Sequence, residues 1–116
     1  MITRSLFVPL LAAMLLAGAL QQAHAQSSAE PAADLKRGQA LLTRHCGSCH
    51  AVGRSDTGAD KNAPALRTIG QRYPVESLEE ALGEGFMSGH PEMPEFKFDA
   101  DDVGAIIAYL KSIQTR

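Results

Sequence analysis

Tryptophan is absent from the 116 residues, and beyond residue 25 the large aromatics are only Tyr73, Phe86, Phe96, Phe98 and Tyr109. A core filled chiefly by aromatic side chains is therefore excluded. Cysteine is confined to Cys46 and Cys49, so the multiple disulfides that staple many small secreted domains cannot form. Neither sign of charge dominates: 11 Lys and Arg stand against 13 Asp and Glu, a formal net charge of −2. That balance excludes a nucleic-acid binder by overall charge and gives no general attraction to an anionic membrane surface. Local basic residues at Lys36-Arg37 or at Arg67 and Arg72 remain able to guide a partner. Alternating or β-branched strand runs are missing around the cysteines, and Gly and Pro are spread through the middle of the chain.

The long apolar run lies at residues 6–20, after a positive start at Arg4 and before Ala23-His24-Ala25. A charged start, a greasy middle and a small-x-small end read as an export signal over residues 1–25. A membrane anchor is the rival, but Pro9 and Gly18 interrupt the run, and it falls short of the roughly 20 apolar residues that a span needs. Residues 26–33 read as a flexible polar lead and 34–116 as one small domain. Without Arg4 the 11 basic residues fall to 10 against 13 acidic, so the exported chain is mildly acidic. A domain of this size is often marginal unless a disulfide, a metal or a large cofactor supports it.

Both cysteines sit in Cys46-Gly47-Ser48-Cys49-His50. A redox-active dithiol belongs beside a βαβ pattern, whereas the flanks here read as helices. Zinc needs about four ligands in a closed site, and no second cysteine pair joins Cys46, Cys49 and His50. The histidine directly after the second cysteine completes the haem-attachment signature, in which two thiols add to the vinyl groups and the imidazole is placed on the iron. Small Gly47 and Ser48 let the chain pass close to a porphyrin edge. His50 is then the neutral, metal-bound imidazole, its other ring nitrogen donating to a backbone carbonyl. His45 lies outside the signature, and its plainer reading is a partly exposed helix residue.

Leu35, Gly38, Leu42 and His45-Cys46 follow helical spacing, with Asp34 as N-cap. Residues 51–64, dense in Gly, Asp, Ser and Asn, predict a loop long enough to wrap something. Residues 75–82 predict a short helix opened by Pro74 and closed by Gly83 and Gly85. Gly89, Pro91 and Pro94 forbid a continuous helix over 86–98. The last helix starts near Asp99, Asp101 and Asp102 and carries the apolar stripe Val103, Ile106, Ile107, Leu110 and Ile113.

These residues resemble the class I cytochrome c family. Gly38 and Leu42 stand eight and four residues before Cys46, as the family's first-helix contact residues do. Ala108-Tyr109-Leu110-Lys111 is similar to its last-helix signature. The resemblance implies an all-α cytochrome c fold, with first and last helices crossing at Gly38 and Tyr109 and loops wrapped around one covalent haem c. It also implies that Pro64 offers its carbonyl to His50. For the second axial ligand the thioethers beyond residue 25 are Met87 and Met93. A thioether is soft and uncharged, and a Met/His pair raises the potential. The resemblance selects Met93, in His90-Pro91-Glu92-Met93-Pro94, with His90 as rival and Met87 left to packing beside Phe86. Arg54, Arg67, Arg72 and Tyr73 are candidates for the haem propionates, their plainer reading being solvated surface side chains.

An iron with both axial positions filled has no open site for substrate, which implies an electron carrier and not an enzyme. The expected role is a periplasmic, monomeric monohaem protein serving a membrane cytochrome complex, a terminal oxidase, or a periplasmic reductase or dehydrogenase. The alternatives are a haem relay subunit of an oxidoreductase, acting for instance on sulfur compounds or alcohols, and a haem sensor or peroxidase with an open iron face. Because the porphyrin stands in for an aromatic core, export without haem-attachment machinery is expected to leave the chain largely unfolded. Circular dichroism during a thermal scan checks this, and a cooperatively melting apoprotein would contradict it.

Overall fold

The computed structural model describes residues 31–85 and 92–115. The export-signal reading of 1–25 lies outside the described residues, as do Phe86, Met87, Gly89, His90 and Pro91. Three α-helices are described: α1 over residues 31–45, α2 over Leu78–Glu84 and α3 over Ala100–Ile113. Two short 3-10 segments, Leu66–Gln71 and Val75–Ser77, lie between α1 and α2. Among the described residues there is no strand, and the architecture is all-α.

The last helix begins where the charge pattern places it. Asp99 holds extended backbone, and its carboxylate accepts from the Asp102 N–H at 2.8 Å, satisfying one of the donors that a helix start leaves unpaired. Asp101 and Asp102 place negative charge in the first turn and Lys111 positive charge in the last, both favourable to the helix dipole. All five residues of the expected stripe are buried, together with Ala105 and Tyr109. Ile106 and Leu110 are the most deeply buried large side chains. Each large aliphatic side chain so buried stabilises the fold by about 1.5–3 kcal/mol, so this helix face is a main source of core stability.

The helix end is tied back by side-chain amide chemistry. Gln114 donates from Nε2 to the Leu66 and Leu110 carbonyls at 3.0 and 2.7 Å, and its Oε1 accepts from the Gly70 N–H at 2.7 Å. The Thr115 N–H donates to the Arg67 carbonyl at 2.9 Å. The 3-10 segment Leu66–Gln71 is thus fastened to the end of α3, with Leu66 and Ile69 buried three residues apart on its inner side.

Two boundaries differ from the sequence reading. Helical backbone is already present at 31–33, so Asp34 lies inside α1 and does not cap it. Ala32 and Ala33 have the best intrinsic helix propensity and explain why the polar lead is helical at its end. The helix expected at 75–82 is instead a 3-10 turn running into α2; Gly83 lies within the helix, and Gly85, with φ of 104°, alone ends it. Such a backbone angle suits glycine because it has no Cβ.

Gly38 is buried where α1 meets α3. A Cβ at this position would run into the Ala105 carbonyl and come within 2.9 Å of Tyr109 Cβ. The missing side chain lets the two backbones touch, as the resemblance implied. Tyr109, buried beside it, donates its hydroxyl to the Val52 carbonyl at 3.2 Å. An Arg37–Asp102 ion pair at 2.5 Å also joins the two helices, but Arg37 is half exposed and such pairs contribute little.

Gly38→Val is expected to lower the unfolding free energy by about 3 kcal/mol, since the new side chain meets backbone that cannot swing aside. Gly104→Ala is the control, because a Cβ there meets nothing within 4 Å and raises helix propensity by about 1 kcal/mol. Chemical denaturation of both variants checks the contrast.

Candidate functional site

The cysteine motif continues α1 as a coil of turns. The Cys46 and Gly47 N–H groups donate to the Leu42 carbonyl at 2.8 and 3.0 Å, and the His50 N–H donates to the Cys46 carbonyl at 2.9 Å. In such a coil, residues three and four apart share a side. Cys46, Cys49 and His50 therefore come to one wall, and all three are half-buried.

The loop that follows is bound against this wall. Asp56 accepts from the Val52 and Gly53 N–H groups at 2.9 and 2.8 Å, and the Asp60 N–H donates to the Cys49 carbonyl at 3.1 Å. Gly58 packs so closely that a Cβ there would lie 2.5 Å from the Cys49 carbonyl oxygen. The composition marked this stretch as loop but gave no sign of that contact, which depends on how the chain returns. The Gly53 and Val52 N–H groups, with Arg67 opposite, hold the Asp56 carboxyl below its ordinary range against an opposing cost of desolvation.

His50 Nδ1 lies 2.7 Å from the Pro64 carbonyl oxygen. A carbonyl only accepts, so Nδ1 carries the proton and donates, which leaves the Nε2 lone pair for a metal. This is the contact that the resemblance assigned to Pro64.

A cavity of about 300 Å³ opens on this wall. Cys46, Cys49, His50 and Pro64 line it from the motif side, and Met93 and Phe96 from the segment before α3. The structure thus brings together the four residues singled out as haem-binding, although Cys46 and Met93 are 47 positions apart in the chain. Arg54, Arg67, Arg72 and Tyr73 are not in its lining. Arg67 is turned to the loop, where it donates to the Asp56 carbonyl at 3.0 Å and pairs with its carboxylate at 3.5 Å. Tyr73 is 44% exposed. His90 and Met87, the rivals of Met93, lie outside the described residues.

The donor set fits a covalently held porphyrin. Cys46 and Cys49 are free thiols, available for thioether bonds. Burial, reinforced by neighbouring Cys49, pushes the Cys46 thiol up to about 11. A thiol so raised is the opposite of the low-pKa thiolate on which dithiol oxidoreductases rely. Among the described residues no group of three His, Cys, Asp or Glu side chains is placed to hold a metal ion.

An all-α domain with a C-x-x-C-H turn, a carbonyl-oriented histidine and a cavity reaching a late methionine defines a class of protein, the small covalent haem carriers. Residues 35–114 match the family model described as Cytochrome c, and the chain belongs to the cytochrome c family. It is 33% identical over 88 residues to a cytochrome c-552 of Bradyrhizobium diazoefficiens, an alignment covering 76% of this chain and 83% of that one. No solved structure gives a significant match. The protein is accordingly a haem electron-transfer protein, with covalently bound haem c and iron as its cofactor, and Cys46, Cys49 and His50 fit the family's C-x-x-C-H motif.

Because the folded-state pKa of Asp56 is depressed, the stability that it adds is complete above the ordinary aspartate value of about 4 and is lost as pH falls through the lower folded value. The difference in melting temperature between the protein and Asp56→Asn is therefore expected to be largest at neutral pH and to shrink below about pH 4. Thermal melts across that range check the sign.

Proposed function

We propose that this chain is a periplasmic single-electron shuttle in which Cys46 and Cys49 hold the haem by thioether bonds and His50 and Met93 are its axial ligands. The observation that carries the reading is the convergence of these residues on one cavity, with His50 already oriented by Pro64. Bound haem c supplies an iron that accepts and releases one electron.

The chain's own residues set the conditions for that exchange. Pro64 fixes the rotation of the His50 ring and makes its free nitrogen a better donor. Met93 contributes a neutral, polarisable sulfur that favours the reduced state over harder ligands. Pro94, directly after it, limits the backbone freedom of the segment that presents it. With His50 and Met93 both bound to it, the iron would have no coordination site left for substrate, which favours a carrier over an enzyme. Small, transient redox interfaces suit such a protein, and the partners proposed are a membrane cytochrome complex, a terminal oxidase, or a periplasmic reductase or dehydrogenase. The periplasmic assignment rests on the signal-like residues 1–25. Among the described residues no helix is long and apolar enough to cross a membrane.

Visible spectra of the matured protein test the ligand pair. The oxidised wild type is expected to show a methionine-to-iron charge-transfer band that Met93→Ala abolishes. The potential of that variant is expected to fall by about 0.1–0.2 V, a fraction of the roughly 0.8 V range that axial ligands span. A band that survives in Met93→Ala would overturn the assignment.

A further inference from the structure

His45 is the last residue of α1, directly before Cys46, and its half-buried side chain lines the cavity. Its ring stands edge-on to two others. The Phe96 centroid is 5.5 Å away at an interplanar angle of 68°, and the Phe98 centroid 5.3 Å away at 81°. Phe96 and Phe98 are two residues apart in a non-helical segment and lie nearly parallel, at 25° with centroids 6.2 Å apart. Two parallel faces meeting one perpendicular ring form a pair of edge-to-face contacts, the arrangement that aromatic quadrupoles favour.

The segment that bears these phenylalanines also bears Met93. Its far end is fixed: the Phe98 N–H donates to the Leu82 carbonyl at 2.9 Å, and Asp99 caps α3. Phe98 packs against the main core, whereas Phe96 faces the cavity. From Phe96 back to Met93 the chain is three residues long, a reach of at most about 11 Å, and Pro94 removes part of its freedom. Whatever fixes Phe96 therefore restricts Met93.

We propose that His45 is a positioning residue: its ring, set against Phe96 and Phe98, ties the segment carrying Met93 to the helix carrying Cys46 and so keeps the methionine on the iron. This inference rests on the proposed ligation by Met93. His45 touches neither iron nor substrate in this role. It acts through Phe96, and the loss of its ring raises the fraction of molecules in which another ligand displaces the thioether.

The test uses matured holoprotein with imidazole as the competing ligand, together with the charge-transfer band and the reduction potential. His45→Ala is expected to bind imidazole about tenfold more tightly, as the loss of one to two aromatic pairs implies, with a weaker band and a lower potential. His45→Phe, which restores a ring, is expected to stay within about twofold of wild type. Ile106→Val is the control for general loosening, because it thins the core away from the cavity and is expected to leave imidazole affinity unchanged. Should His45→Ala fail to mature, His45→Leu, which fills space without a ring, carries the same expectation. A wild-type band with His45→Ala within twofold of wild type would overturn this inference and leave the ligation reading standing. The same holds if His45→Phe is as impaired as His45→Ala, or if Ile106→Val matches it. Absence of the band in the wild type would overturn both.

Discussion

At Gly38 the backbone of α1 rests on the carbonyl of Ala105 with no side chain between them. Everything downstream in α1 inherits its place from that contact. Two helical turns later the same helix delivers Cys46, and one turn more delivers Cys49 and His50. From the other helix, Tyr109 lies over the glycine and reaches the Val52 carbonyl, two residues beyond His50. The attachment motif is thus held on both flanks by one crossing. A side chain at position 38 would push α1 away and move the cysteines relative to the segment that bears Met93. The ion pair between Arg37 and Asp102 spans the same junction but is too exposed to set its geometry.

The loop beside the site is held by hydrogen bonds that local sequence makes cheap to form. Asp56 closes a tight turn over the Val52 and Gly53 amides, Asp60 accepts from the Asn62 N–H at 2.8 Å, and the Asp60 amide bonds to the Cys49 carbonyl. Each residue type is one that readily bonds nearby backbone. Together these contacts leave the fourteen-residue stretch from Ala51 to Pro64 few ways to move, so the Pro64 carbonyl meets His50 at a fixed place. Among the described residues no buried side-chain nitrogen or oxygen lacks a partner.

How much of this was legible in the sequence depended on the range of each signal. The α3 stripe is readable because it is periodic, and the acidic start of the helix because it is local, while the Asp99 cap contact emerges only in the fold. The Cys46-Gly47-Ser48-Cys49-His50 string was readable because covalent attachment imposes a fixed spacing. Pro64 and the Gly38–Tyr109 crossing came from family resemblance, since nothing local in a proline or glycine names its distant partner. The Leu66–Gln71 segment was missed; Leu66 and Ile69, three apart, were the available hint, but its stability comes from Gln114, 48 residues from Leu66. Charge makes Arg67 a candidate for the propionates, with a surface side chain as its plainer reading, and its pairing with Asp56 is a contact that charge alone cannot foresee. The reading of His45 as a partly exposed helix residue agrees with its half-buried place at the end of α1, but its aromatic partners are about fifty residues away and only the return of the chain brings them together.

The apolar interior is in two connected parts. One is aliphatic, centred on Ile106 and Leu110 and closed by Leu42, Leu66, Ile69 and Val75. The other is the cavity edged, among the described residues, by His45, Cys46, Met93 and Phe96. Cys46 and Phe98 bridge them, since both pack against the aliphatic core while Cys46 also lines the cavity and Phe98 also touches His45. A change in the cavity therefore reaches the core through two side chains on different elements, one leading into α1 and one into α3. Because α1 and α3 also meet at Gly38, the path closes on itself. In a domain with no tryptophan and a modest aliphatic cluster, a group held in the cavity would be a structural partner of the helices.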